Sequence, residues 1–315
     1  MNPTYTRPRI NPRNDSYVDS QAESNGANPS EMKDVDFLIC CPTVLGFCFD
    51  KNSWMGFAVA DLSPVEWSSA AFKNLKIPSR QRDMLLALTK TGLSLVPSVP
   101  LDDFVIDKGR GLNVLLYGDP GLGKTFTVEA LAEHLERPLY RVPASELIDH
   151  SSSIFKVASH FRAIVLVDQA EVILQGRLVG EARNHSVTAF LRDLEYLEGV
   201  LFLTANRVNK FDDAILNRIH YKLEYEGLSR EFRRALWENF LSNVGSARLS
   251  RDELHKLEGL NVTPREIKTL VIIAHALATV SGDRVSYTHL EQAATSDEEF
   301  ARAFNRTGRL ETMYN

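Results

Sequence analysis

The chain has few cysteines, no long hydrophobic run and no excess of positive charge. Its three cysteines, Cys40, Cys41 and Cys48, sit close together. Such a cluster makes no disulfide framework, and no histidines stand beside it at zinc-ligand spacing. Thiols kept reduced point to a reducing compartment. No apolar run approaches the length of a membrane span. The formal net charge of −5 favours neither nucleic acid nor an acidic membrane surface, and a nucleic-acid motor would need a basic stripe that is absent. The stretch from Met1 to about Ser30 lacks the apolar core of a signal peptide. Arg7, Arg9 and Arg13 have the charge of a mitochondrial presequence, but Pro3, Pro8 and Pro12 break the helix it needs. A disordered polar arm over 1–34 is expected, with a cytoplasmic or nuclear location rather than a mitochondrial one. There are no internal repeats.

What is present is ordinary globular material: 44% hydrophobic and 24% charged residues in 315, enough for one large or two moderate domains. One motif stands out. Gly118-Asp119-Pro120-Gly121-Leu122-Gly123-Lys124-Thr125 reads G-x-x-x-x-G-K-T. The residues before it, 113–117, are mostly apolar and read as a buried strand. Those after it, to Glu136, have helical spacing, with Phe126, Ala130, Leu131 and Leu135 on one face. Strand, glycine loop and helix are the context a phosphate cradle requires. Glycines let backbone N–H groups curl around phosphate oxygens, and the helix N-terminus adds a dipole that favours anions. Lys124 is expected to reach the β- and γ-phosphates and Thr125 to hold Mg²⁺. Phe126, the next residue, is counted with the loop as nucleotide-binding.

Residues 35–70 carry short apolar runs, 37–39 and 55–59, separated by turn residues and too few for a sheet domain of their own. From about 71 to 228 strands and helices alternate. Strand-like runs lie at 138–142, 163–167, 200–204 and 220–224. A helix from about Arg183 to Leu197 carries the apolar stripe Val187, Phe190, Leu191 and Leu194. This alternation predicts an α/β domain, a parallel sheet with helices on both faces, binding its ligand beyond the strand C-termini, where the glycine loop sits. After 228 the strands stop. Helices at 229–243, 251–258, 264–280 and 287–305 predict a small all-helical domain over 229–307, with a tail at 308–315. Thr263-Pro264-Arg265-Glu266 is a capping box with proline at the first helical position. Ile267, Leu270, Val271, Ala274 and Leu277 follow as a core-facing stripe.

Three further positions bear on chemistry. Residues 164–168 are an apolar strand ending in Asp168, whose carboxylate would sit near Mg²⁺ and orient its water ligands. Gln169 follows it. Glutamine orients a water but cannot accept its proton, and general-base help is worth ~10²–10⁴ in rate. Glu171, two residues on, could supply a carboxylate if the chain bends suitably. The 200–204 strand ends at Asn206, which could hydrogen-bond the attacking water or the γ-phosphate. A GTPase would need an Asp-x-x-Gly switch and an Asn-Lys-x-Asp guanine reader, and neither is recognised in the sequence.

In this order, P-loop, acidic strand, polar strand tip and helical lid resemble the AAA+ ATPases. The resemblance covers about 36 to 305. It extends to an uncharacterised branch abundant in filamentous fungi through Trp67, 108–112, 137–142, 194–196, 202–208, 211–214 and 217–220. It implies that Lys124 and Thr125 form the Walker A pair, that Asp168 is the Walker B magnesium residue with Gln169 in the catalytic-glutamate position, and that Asn206 is sensor 1. Arg218 matches a family arginine and becomes an arginine finger, reaching a neighbour's γ-phosphate in a homo-oligomeric ring. Arg265 falls where the lid carries a sensor-2 arginine, although Thr263-Pro264 replaces the usual Asn-Gly. Lys124 and Asp168 are 168 − 124 = 44 residues apart, short for the family by about two to three helical turns. The loss falls between Val142 and Phe161, where relatives carry a pore loop and a full helix. The implied activity is ATP hydrolysis coupled to remodelling of a protein partner. Gln169 and the shortened segment open a second reading, an ATP-gated binding module that hydrolyses slowly.

Overall fold

The computed structural model describes residues 41–73, 75, 77–96, 111–171, 181–207, 213–247 and 249–295, with the backbone alone over 181–187. The chain divides into two compact units, Met1–Phe47 with Trp54–Ser63 and Cys48–Ser53 with Pro64–Asn315. No helix among the described residues is long and apolar enough to cross a membrane.

A two-stranded sheet comes first, β1 (Thr43–Cys48) and β2 (Ser53–Ala58). β2 is the expected 55–59 run, shifted back by a residue or two. β1 was not foreseen, because its Thr43-Val44-Leu45-Gly46 start is largely exposed and shows no alternation. The 37–39 run lies outside the described residues. In the first unit, the rings of Phe47 and Trp54 meet edge to face, 5.5 Å between centroids.

The larger unit is built on a five-stranded sheet in the order β4-β5-β6-β3-β7. Its strands are β3 (Leu112–Gly118), β4 (Leu139–Arg141), β5 (Ile164–Val167), β6 (Val200–Ala205) and β7 (Tyr221–Tyr225). Every pairing is parallel; Val114, for example, lies opposite Phe202 on one side and Tyr221 on the other. Successive side chains point to opposite faces, and in the central strands both sets are buried. Val114, Leu116, Ile164, Leu166, Val200, Phe202 and Leu223 share one core with helix α2 (Ser79–Gly92) and helix α3 (Lys124–Leu135), and with Phe72 of the short α1 (Ala70–Lys73). Leu115, Val165, Leu201 and Leu203 are equally buried. Helices α4 (Ala144–Phe161) and α5 (Glu181–Glu195) pack on each other and bury Leu147, Phe190 and Leu194. Both faces are covered, as continuous apolar strands require.

The α3 stripe differs from expectation. The buried face of α3 runs through Lys124, Thr127, Val128 and Leu131, while Phe126 is 46% exposed. The segment between β4 and β5, to which the sequence assigns no element, folds as α4, with one break at His150 (φ −133°, ψ 26°). Ser151, the next residue, donates a hydrogen bond to Asp193 of α5 at 2.6 Å. One kinked helix thus leads from β4 to β5.

The C-terminal helices α7 (Arg230–Asn243), α8 (Arg251–Gly259) and α9 (Pro264–Ser281), with a helical stretch at 287–295, bury a separate core around Trp237, Leu257, Ile267, Leu270 and Val271. A four-residue helix, α6 (Asp213–Leu216), precedes β7. Thr263 and Glu266 form the expected capping box, their side chains bonding each other's backbone N–H at 3.3 and 2.7 Å. The buried stripe of α9 ends on Ala278 rather than Leu277, which is 37% exposed.

Candidate nucleotide site

The site forms where β3, β5 and β6 end. β3 passes into the glycine loop at Gly118 (φ 135°), where an added Cβ would stand 2.3 Å from the Tyr225 carbonyl oxygen of β7. Only glycine lets these two backbones approach so closely. The loop closes at Gly123, in the left-handed region, directly before α3. Asp119 and Pro120 are exposed at its tip, and Leu122 packs inward on the sheet core.

Lys124 is buried at 6% exposure. Its ammonium donates to the Gly118 and Asp119 carbonyls at 2.7 and 2.8 Å, and to Asn206 Oδ1 at 3.1 Å. Burial pulls its pKa below the usual lysine value. The carboxylates of Glu171, Asp168 and Asp119 pull the other way, Glu171 most strongly, and Arg265 adds a cationic push downward. Lys124 is thus a cation held by its own loop and balanced by three acids.

Thr125 donates through Oγ1 to Asp168 Oδ1 at 3.0 Å, and Thr204 of β6 donates to the same oxygen. Thr125 and Asp168 therefore place a hydroxyl and a carboxylate side by side at the N-terminus of α3. Hard oxygen donors of this kind, with nucleotide phosphates, suit Mg²⁺. Gln169 is exposed and sits at φ 56°, its backbone N–H donating to Thr204 Oγ1 at 3.1 Å. Among the described residues its side-chain amide makes no hydrogen bond. Glu171 lies deeper. One carboxylate oxygen accepts the Asn206 backbone N–H, and the other, Oε2, is buried without a partner among the described residues.

The lid reaches the loop. A Cβ on Gly121 (φ 82°) would stand 3.0 Å from Thr263 Oγ1 and 3.4 Å from the Arg265 Cβ. Arg265, exposed in the first turn of α9, is thus beside the P-loop as expected. Behind the loop, the buried Tyr225 hydroxyl donates to Thr127 Oγ1 at 2.7 Å, and Thr127 donates to the Gly123 carbonyl at 3.0 Å.

The structure therefore brings together Lys124, Thr125, Asp168, Gln169, Asn206 and Arg265. It does not bring Arg218 there. The Arg218 carbonyl accepts from Asn113 Nδ2 at 3.0 Å, at the start of β3, roughly 16 Å along the strand from the glycine loop. Its guanidinium is held in its own chain, Nη2 donating to Glu195 at 2.6 Å and Nη1 to the Ala214 carbonyl at 2.7 Å. Phe126 is exposed at the start of α3. Sequence reasoning missed the Tyr225–Thr127 support and the Glu171–Asn206 bond, since both join residues far apart in the chain. It was also wrong to find no Asn-Lys-x-Asp guanine reader, since Asn209-Lys210-Phe211-Asp212 spells that pattern; those residues lie outside the described part.

Residues 114–226 match the family described as "ATPase family associated with various cellular activities (AAA)". A putative 26S proteasome regulatory subunit homolog of Methanothermobacter marburgensis is 27% identical over 202 residues, 58% of this chain and 54% of that protein. Spastin of Xenopus laevis is 28% identical over 183 residues, 53% of this chain and 30% of that protein. The chain thus spans about half the length of the archaeal relative and less than a third of the spastin. A crystal structure of the FIGL-1 AAA domain in complex with ADP superposes with a TM-score of 0.54 over 73% of this chain and 88% of that one, at 16% identity, a likeness of fold. The glycine loop, Asp168 and Asn206 all fall inside the matched segment, and residues 114–226 are accordingly a domain of the AAA ATPase family.

Proposed function

We propose that this protein binds ATP with Mg²⁺ at the P-loop, hydrolyses it, and couples the cycle to remodelling of a protein partner as a homo-oligomer. The observation that carries this reading is the Lys124 ammonium, buried against the loop's own carbonyls and bonded to Asn206, beside the paired oxygens of Thr125 and Asp168. A cation and a hydroxyl–carboxylate pair at a helix N-terminus suit a triphosphate and its metal. Mg²⁺, when bound, neutralises charge developing on the transferred phosphoryl group.

The chain's own residues divide the work. Lys124 and the loop N–H groups orient the phosphates. Asn206, at the tip of the central strand, orients the water. Arg265 enters from the lid, so that nucleotide state and lid position are linked through Gly121 and Thr263. Arg218 lies too far along β3 to serve its own site, which fits a role at a neighbour's nucleotide in a ring.

The alternative, an ATP-held binding module, rests on the exposed, carboxylate-free side chain of Gln169. Steady-state ATP hydrolysis, measured beside ATP and GTP affinity, separates the two. Tight ATP binding with clear turnover supports the ATPase. Tight binding with negligible turnover supports the module, and preference for GTP would sink the assignment of the base.

A further inference from the structure

Two observations at the site remain without a task. Gln169 stands where a proton acceptor belongs, and its amide accepts no proton. Glu171 is a carboxylate with one oxygen engaged and one, Oε2, buried and unpartnered among the described residues. Leaving a buried carboxylate oxygen without a donor is costly, and such groups call for an explanation in what the site binds.

Its neighbourhood supplies one. Glu171 Oε1 holds the backbone N–H of Asn206, whose side chain accepts from Lys124. Among the charges acting on the Lys124 ammonium, Glu171 is the strongest. The carboxylate therefore stands against Asn206, the residue whose side chain meets Lys124. The turn that takes it there begins at Gln169, whose left-handed backbone carries the chain inward to the buried Ala170 and then Glu171.

From this we infer that Glu171 has taken over the proton-accepting role from position 169. This rests on the ATPase reading given above. The water oxygen bonds to the γ-phosphorus. The bond from phosphorus to the β–γ bridging oxygen breaks, and its electron pair leaves with ADP. The proton released by the water passes to Glu171 Oε2. Asn206, fixed by Oε1 of the same carboxylate, orients that water, so one side chain sets both the acceptor and the group that aims the nucleophile.

The test compares the full-length wild type with E171Q, Q169E and Q169E/E171Q, measuring phosphate release and the affinity of a fluorescent ATP analogue. E171Q retains an acceptor for the Asn206 N–H through its amide oxygen, so an anchoring role alone would leave turnover unchanged. The expected result is a fall in kcat of ~10²-fold or more in E171Q, affinity within about threefold of wild type, and recovery of most of the loss in the double variant. Wild-type turnover in E171Q overturns the proposal and leaves the ATPase reading standing. Wild type inert with Q169E active overturns it too, and makes position 169 the cause. Binding without turnover in both wild type and Q169E ends the ATPase reading as well. Should E171Q lose its melting transition, Glu171→Asp decides instead. It keeps the charge and withdraws the carboxylate, and a kcat within about twofold of wild type then overturns the proposal.

Discussion

Arg218 is clasped by Glu195 of its own chain, Nη2 and Nε both donating to Oε1, at 2.6 and 3.1 Å. The pair joins the end of α5 to the turn after α6, and with the bond from Nη1 to the Ala214 carbonyl it holds the guanidinium against its own chain. In the proposed finger role a group already held in place would meet a neighbour's transition-state charge with little reorganisation.

From this follows the first prediction. Arg218→Ala leaves ATP affinity unchanged and lowers oligomer-dependent turnover, by ~10³-fold or more if it acts as a full finger. Glu195→Gln, which weakens the clasp but leaves the guanidinium, causes a smaller loss. Full turnover in Arg218→Ala, at a protein concentration where oligomers form, removes the assignment.

Lys124→Ala strips the cation from the loop and leaves Glu171, Asp168 and Asp119 without it. The phosphates would then meet uncompensated acids where they met an ammonium. ATP affinity is expected to fall by about a hundredfold or more, since two charge-assisted contacts are lost at roughly 1.5–3 kcal/mol each. The fold persists because the surrounding core is apolar and intact. Unchanged affinity measured by fluorescent nucleotide titration would refute the site.

How much of this was readable in advance depended on range. The glycine loop, Asp168 and the capping box at Thr263 are signals carried within a few residues, and the structure repeats them almost residue for residue. The parallel sheet was legible because strands buried on both faces must be apolar throughout. Reading failed where a contact spans the chain. Phe126 looked like part of the α3 stripe, but the inner face is set by where β3 delivers the helix, and Lys124 and Thr127 take the buried positions instead. Leu277 is 37% exposed and Ala278, one position on, takes the buried place. Nothing local in Glu171 marks it as bonded to Asn206, thirty-five residues away.

Acid is expected to weaken the fold through His220. Its Nδ1 accepts the backbone N–H of Asn113 at 3.0 Å, which requires the neutral ring. Burial, and then the charge of Lys222, lower its pKa below the usual histidine value. The unfolded chain therefore binds the proton more readily than the native one. This contribution to stability is complete above about pH 6.5, the unfolded value, and is lost as pH falls below it. His134 is depressed too, again first by burial, so the comparison must be made between variants. His220→Asn, whose Oδ1 offers a similar acceptor that does not titrate, should lose less stability between pH 7 and pH 5 than wild type. Equal losses by thermal melts would show that His220 carries none of the effect.

The last prediction concerns support from behind the loop. The Tyr225 hydroxyl, on the edge strand just before the chain enters the lid, donates to Thr127, which donates to the Gly123 carbonyl. Burial raises the tyrosine pKa far above its ordinary value, so the hydroxyl remains a donor at any working pH. Tyr225→Phe keeps the ring in the core and removes only that donor. It leaves Thr127 Oγ1 without its incoming bond and frees the turn that sets the direction of the loop N–H groups. A loss of about 1 kcal/mol in stability is expected, read as a lower melting temperature, together with a severalfold weaker ATP affinity. Because Tyr225 touches no phosphate, the affinity change is the informative part. A variant that melts lower but binds ATP as tightly as wild type would reduce Tyr225 to a packing residue, whereas weaker binding would show that the strand leading to the lid helps hold the phosphate cradle in shape.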